Sequence, residues 1–132
     1  MSQDDTLPRL LVDAFDGEEE LLAWTMGLSP STRQAIAQWV LEPVGDGSRR
    51  RRAEQLAERL MSTMEAEREL PRFIVHALNR AAGAMQGWRS MTALQRRMHL
   101  LAVFRPKGME GRERQLERLV EASVLKYRGR HV

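Results

Sequence analysis

The sequence predicts an all-α fold made of two similar four-helix units, with about eight helices in total. Apolar residues recur at helical spacing, and no segment shows the alternation of a half-buried strand. Proline, glycine and serine divide the chain into short helical segments. The chain also repeats itself after 63 residues. We therefore expect a first repeat over residues 1–66 and a second over residues 67–132. Because a unit of about 60 residues buries little surface alone, the two repeats are expected to pack together as one compact globule.

The two copies of the internal repeat align without gaps. Leu7-Pro8-Arg9 recurs as Leu70-Pro71-Arg72, and placing residues 7–62 on 70–125 gives 14 identities in 56 pairs. The identical pairs include Arg33/Arg96, Val40/Val103, Arg49/Arg112, Arg51/Arg114, Glu54/Glu117, Leu56/Leu119 and Glu58/Glu121.

Capping and breaking residues place four helices in the first repeat. Proline is favoured at the first helical position and glycine just beyond the last, so a first helix is expected from Pro8 to Gly17. The acids Glu18–Glu20 open a second helix that ends at Gly27. Ser29 is expected to cap a third helix, which ends near Leu41, and Ser48 a fourth, which ends near Glu65. The expected core stripes are Leu11, Val12 and Phe15, then Ile36, Trp39 and Val40, then Leu56, Leu60 and Met64.

The second repeat follows the same plan. Helices are expected over residues 71–82, 84–88, 92–104 and 111–127, with Thr92 as the cap of the third. Leu94, Met98 and Leu101 are the expected apolar positions of that helix, and Leu116, Leu119, Val120 and Val124 those of the last. Trp24, Trp39 and Trp88 are expected to anchor the core.

Composition excludes several classes of protein. The 132 residues include no cysteine, so disulfides, thiolate metal sites and cysteine nucleophiles are excluded. No apolar run approaches the ~18–20 residues of a membrane span, and the acidic start lacks the features of a secretory signal. We therefore expect a cytoplasmic protein without membrane insertion.

The charge is divided unevenly along the chain. The net charge is +3 and the isoelectric point about 10.1, because 19 of the 21 basic residues are arginine. Residues 1–66 contain 7 Arg and 12 acidic residues, whereas residues 67–132 contain 14 basic and 6 acidic residues, giving −5 and +8. Such a division indicates either mutual attraction of the halves or an anionic partner at one end.

Arginine supplies the candidate binding residues. The run Arg49–Arg52 follows a predicted helix start, where free N–H groups already favour anions. One hypothesis is a site for phosphate, for nucleic acid or for a protein partner. The other is that Arg49 and Arg52 pair with carboxylates such as Glu42, Asp46 or the acidic stretch 18–20 and hold the repeat together. The candidate anion-binding or partner-binding residues are Arg49, Arg51, Arg52, Arg96, Arg97, Lys107, Arg112 and Arg114.

No catalytic constellation is present in the sequence. His76, His99 and His131 are too dispersed for a metal site, and no glycine-rich phosphate loop follows a strand. We expect no catalytic residue, no metal and no cofactor, and hence a protein that is not an enzyme.

The chain resembles the C-terminal helical module of the YdeI/OmpD-associated (bacteriocin-protection) family. The resemblance lies in Leu28-Ser29-Pro30-Ser31-Thr32-Arg33, in Trp39-Val40, and in Ser48-Arg49-Arg50-Arg51-Arg52 after a Gly/Pro break. The second repeat retains less: Met91-Thr92, Arg96-Arg97, Val103 and Arg112-Glu113-Arg114. The resemblance implies a helical fold, present here as two tandem copies, and a link to bacterial stress or antimicrobial-peptide resistance.

Two functions follow from these observations. The first is a non-enzymatic binding protein of this type that acts through a protein partner. The alternative is a nucleic-acid-binding or regulatory protein that uses the arginine-rich faces. Self-association stays open on either interpretation.

Overall fold

A computed structural model describes residues 7–105 and 109–130 of the chain. Every regular element in these residues is a helix, as predicted. The first four helices are α1 (Arg9–Ala14), α2 (Glu19–Met26), α3 (Pro30–Leu41) and α4 (Asp46–Arg68). The next four are α5 (Arg72–Asn79), α6 (Ala84–Ser90), α7 (Ala93–Val103) and α8 (Met109–Arg130). The chain separates into two compact units, and the division falls within α4, between Met64 and Glu65.

Side-chain caps begin α3 and α7 where the sequence predicts them. The Ser29 hydroxyl accepts a hydrogen bond from the Thr32 amide at 3.3 Å, and Pro30 follows at the first helical position. Thr92 forms a capping box with Gln95, in which each side chain accepts from the other residue's amide, at 3.1 and 2.9 Å. The prediction that Ser48 caps α4 is wrong, because the helix already begins at Asp46 and Ser48 lies in its first turn.

The core of the first unit follows the predicted stripes. Leu11 and Val40 are fully buried, and Phe15 and Leu21 almost so. On α4 the buried apolar residues of this unit are Ala53, Leu56, Ala57, Leu60 and Met64. Val12, Trp24 and Trp39 are only half-buried, so two of the three expected tryptophan anchors lie at the edge of the core.

The core of the second unit is formed by residues from α5, α6, α7 and α8, together with Ala66 near the end of α4. Trp88 is 4% exposed and packs with Ile74, Leu78, Leu100 and Leu119. On α7, however, Leu94 and Met98 are exposed, so the expectation that they are core residues is wrong. The buried residues of this helix, Leu100 and Val103, lie on its opposite face.

None of the helices in the described residues is long and apolar enough to cross a membrane.

Candidate functional site

Arg33 and Arg96 make the same contacts in the two units. Arg33 Nη1 donates to the Leu28 carbonyl oxygen and, at 2.7 Å, to that of Met26. Arg96 Nη1 donates to the Met91 carbonyl oxygen and, at 3.5 Å, to that of Arg89. Carbonyl groups at the end of a helix lack intrahelical partners. Each arginine therefore fastens the end of one helix to the start of the next.

Arg49 and Arg52, from the start of α4, bind the end of α3 and the loop after it. Arg49 Nε donates to the Pro43 carbonyl oxygen at 2.6 Å. Arg52 Nη1 donates to the Trp39 carbonyl oxygen at 2.8 Å and lies 3.4 Å from Glu42 Oε1, and its guanidinium stacks 4.7 Å from the centre of the Trp39 ring. A positive charge interacts unfavourably with the helix dipole at the N-terminus of α4 but favourably with that at the C-terminus of α3. Arg52 thus lies beside Glu42, one of the expected carboxylates, whereas the contact of Arg49 is with a carbonyl group.

Arg97 forms an ion pair with Glu67. Its Nε and Nη2 atoms donate to Oε2 and Oε1 of Glu67 at 2.6 and 2.7 Å, the two-pronged geometry that guanidinium and carboxylate prefer. The hydrogen bond to Glu67 raises the pKa of Arg97 and outweighs the opposing effect of burial. A carboxylate of its own unit thus already compensates this cation.

Arg112 stacks on two aromatic rings. Its guanidinium carbon lies 5.1 Å from the centre of the Phe73 ring and 5.3 Å from that of Phe104. The two rings meet edge to face, with their centres 6.1 Å apart. A guanidinium over an aromatic face is attracted by the ring quadrupole. Arg112 therefore contributes to the packing of α5, α7 and α8.

Most of the predicted arginine side chains contact groups of their own unit. Arg49, Arg52, Arg96, Arg97 and Arg112 each contact a carbonyl group, a carboxylate or an aromatic ring of their own unit. Arg51 and Arg114 are exposed on α4 and α8, and Lys107 lies outside the described residues.

An open groove of about 700 Å³ runs along α4 in the first unit. Its lining includes buried apolar side chains, Phe15, Leu21 and Ala57. Exposed polar residues of α4 also line it: Arg51, Glu54, Gln55 and Glu58. The lining residues of α4 extend from Arg51 to Ser62, about three turns or ~16 Å.

The sequence contained a signal for this groove that its interpretation missed. Arg51, Glu54 and Glu58 are identical to Arg114, Glu117 and Glu121 of the second repeat, yet all six side chains are exposed. Burial explains identities such as Leu56/Leu119, but it does not explain identity at the surface. Three of these exposed residues line the groove.

The second unit has closely packed helices at the corresponding place. A Cβ atom added to Gly87 of α6 would lie 1.7 Å from the Ser123 carbonyl oxygen of α8, so the two backbones are almost in contact. A Cβ atom on Gly83 would lie 2.4 Å from the Tyr127 ring. The first unit carries Glu20 and Trp24 at these two register positions. A glycine contact like that of Gly87 is therefore not available at these positions of α2.

The described residues hold no group of three or more metal-binding side chains that could hold an ion.

Comparison with known proteins gives one match. Residues 67–124 match the family model described as OmdA, bacteriocin-protection, YdeI or OmpD-associated. No curated protein and no solved structure matches the chain significantly. The motif residues are most complete in the first repeat, whereas the match covers the second. Residues 67–124, the C-terminal part of this chain, are therefore similar to the bacteriocin-protection, YdeI or OmpD-associated family.

Proposed function

We propose that this chain is a non-enzymatic helical binding protein, built from two copies of the YdeI/OmpD-associated module, that acts through a protein partner in the bacterial cytoplasm. Its biological setting would be a bacterial stress response linked to antimicrobial-peptide resistance; the words bacteriocin-protection in the family description support the second part. The helix starts support the tandem arrangement, because α5, α7 and α8 begin 63 residues after α1, α3 and α4.

The groove along α4 is the observation that carries the binding role. It has the length of about three helical turns, a buried apolar floor and a rim of both charge signs. A polypeptide segment with apolar and polar faces has matching chemistry, since its apolar side chains can cover the floor while its polar groups meet the rim. Phe15 and Leu21 would lie beneath the bound segment.

Affinity capture with matched variants tests this function. The full chain is compared with a Glu54→Arg/Glu58→Arg variant, which reverses the charge at the groove. The control is Glu117→Arg/Glu121→Arg, which makes the same change at the same register of the second repeat. A partner held by the wild type and the control but lost by the groove variant supports the proposal. Equal capture by all three proteins, or no partner together with measurable turnover, contradicts it.

The alternative is nucleic-acid binding by the second repeat. Arg89, Arg105, Arg114 and Arg118 are exposed there, in the half whose net charge is +8. Labelled DNA titrated at several salt concentrations decides this question. Each phosphate contact contributes a slope of roughly −0.9 in log K against log salt. An Arg114→Ala/Arg118→Ala variant should then reduce the slope by about two contacts. Absence of binding at low salt eliminates this function.

A further inference from the structure

Helix α7 carries an apolar stripe on the side that faces away from the core. Leu94 is 62% exposed and Met98 46% exposed, and half-buried Leu101 continues the stripe one turn further. The buried residues Leu100 and Val103 lie on the opposite side. A surface helix of a globular protein normally presents polar residues outward, so α7 is apolar on two faces.

The first repeat shows that the fold does not require this stripe. At the same register, α3 carries Ser31, Ala35 and Gln38 in place of Leu94, Met98 and Leu101, and all three are exposed. Both helices are nevertheless capped at equivalent positions and fastened by equivalent arginines. The large apolar side chains of α7 therefore serve something other than the packing of a unit.

Charge indicates what covers the stripe. Exposed Arg105 lies one turn beyond Leu101, where the first repeat has Glu42, and exposed Arg89 precedes the start of α7. Arg97 borders the stripe, but Glu67 already compensates its charge. Exposed cations close to an apolar stripe favour an occupant that brings both apolar side chains and carboxylates.

We infer that the outer face of α7 is a docking surface for a partner helix with an apolar stripe flanked by Asp or Glu. The stripe is straight and spans about two turns, which suits packing of one helix along another. This surface is independent of the α4 groove, so failure of either proposal leaves the other intact.

Two synthetic peptides provide the test. Each has about 18 residues, long enough to form a helix, with leucine on one face and either glutamate or lysine beside it. Binding to the full chain is measured by fluorescence anisotropy. We expect the glutamate peptide to bind at least about tenfold more tightly than the lysine peptide, a difference of ~1.4 kcal/mol. Equal binding of the two peptides, or no binding, overturns the inference.

Variants that carry the residues of the first repeat locate the binding. Leu94→Ser/Met98→Ala/Leu101→Gln should weaken binding of the glutamate peptide by at least about tenfold. The Arg89→Glu/Arg105→Glu variant keeps the stripe and should reverse the preference toward the lysine peptide, which provides a second test if the triple variant does not fold. Unchanged binding by either folded variant contradicts the assignment.

Two further measurements exclude other occupants. The wild type is sedimented with and without phosphatidylserine vesicles, and its oligomeric state is measured across a range of concentrations. We expect no vesicle binding and no self-association that depends on the stripe. Vesicle binding, or self-association, that the triple variant loses would identify a lipid surface or a second copy as the occupant and would overturn the inference.

Discussion

At the scale of single residues, arginine fastens helix ends in this protein. Each guanidinium has five N–H donors and keeps its charge in the partly buried positions that it occupies here. Arg33 and Arg96 use these donors on carbonyl groups that the preceding helix leaves without partners. Lysine offers a single ammonium group and lacks the planar fork, so it does not replace arginine at such a site.

Removal of either guanidinium should destabilise the protein. Arg33→Met and Arg96→Met are each expected to lower the free energy of unfolding by about 1.5–3 kcal/mol, the usual contribution of hydrogen bonds to a charged group. Urea denaturation measures the change. Arg51→Met and Arg114→Met are the controls, because these exposed side chains should change stability by less than about 0.5 kcal/mol. Similar losses in all four variants would show that the carbonyl contacts are not the cause.

His99 introduces a pH dependence into the second unit. Burial lowers the pKa of His99 below its ordinary value of 6.5. The unfolded chain therefore binds the proton more tightly than the folded chain, and stability is lost as the pH falls below 6.5. The first repeat has Ile36 at this position.

His99→Ile should therefore flatten the profile of unfolding free energy against pH. Chemical denaturation between about pH 8 and pH 5 is the measurement, and the difference between wild type and variant isolates His99 from the carboxylates that both proteins share. The wild type should lose stability relative to the variant as the pH falls. Parallel profiles would contradict the effect of burial.

At the scale of helices, Gly87 permits α6 to lie against α8. A methyl group there would meet the Ser123 carbonyl oxygen, which is backbone and cannot rotate away. Gly87→Ala should cost about 3 kcal/mol or more, at the upper end of the usual cost of overpacking, and a thermal melt measures the loss. Gly129→Ala is the control, because nothing lies within 4 Å of its added Cβ atom. An equal effect of the two substitutions would refute the close contact.

The positions at which helices begin were the part of the fold that the sequence predicted best. Ser29-Pro30 and Thr92 act within one turn of their own position, so local chemistry decides where α3 and α7 begin. Ser48 fails as a cap because Asp46 lies two residues earlier and its carboxylate complements the helix dipole. Local sequence patterns do not predict that the outward face of α7 is apolar. Leu94 and Met98 have the spacing of a core stripe, and only tertiary packing decides which side of the helix is buried.

The candidate site was less predictable than the fold. The run Arg49–Arg52 is easily recognised in the sequence. The carbonyl groups that Arg49 and Arg52 bind, however, lie at the end of the preceding helix and in the loop after it. The groove is lined by side chains from two separate segments, residues 14–21 and residues 51–62, so no local pattern predicts it. The identical pairs Arg51/Arg114 and Glu54/Glu117 can be read from the sequence. Only the burial of each residue in the structure shows that these pairs are on the surface and not in the core.

At the scale of the whole chain, arginine keeps the charge positive over a wide pH range. The 18 carboxylates are ionised at neutral pH, and 19 of the 21 basic side chains are arginines that stay protonated. Electrophoretic mobility should therefore stay cationic from about pH 7.5 to about pH 9.5. A matched chain with its arginines replaced by lysine should lose cationic mobility at the upper end of this range. A change of sign below about pH 9 in the wild type would show that other groups release protons there.

The contact between Gly87 and Ser123 also constrains how the gene can change. Recombination between the two halves of the coding sequence would tend to make them alike. A recombination event that carries only the Trp24 codon to the position of Gly87 would place an indole where the structure leaves room only for a hydrogen atom. We expect such a recombinant not to fold, so the Gly87 codon is one position at which the two halves of the gene cannot be exchanged singly.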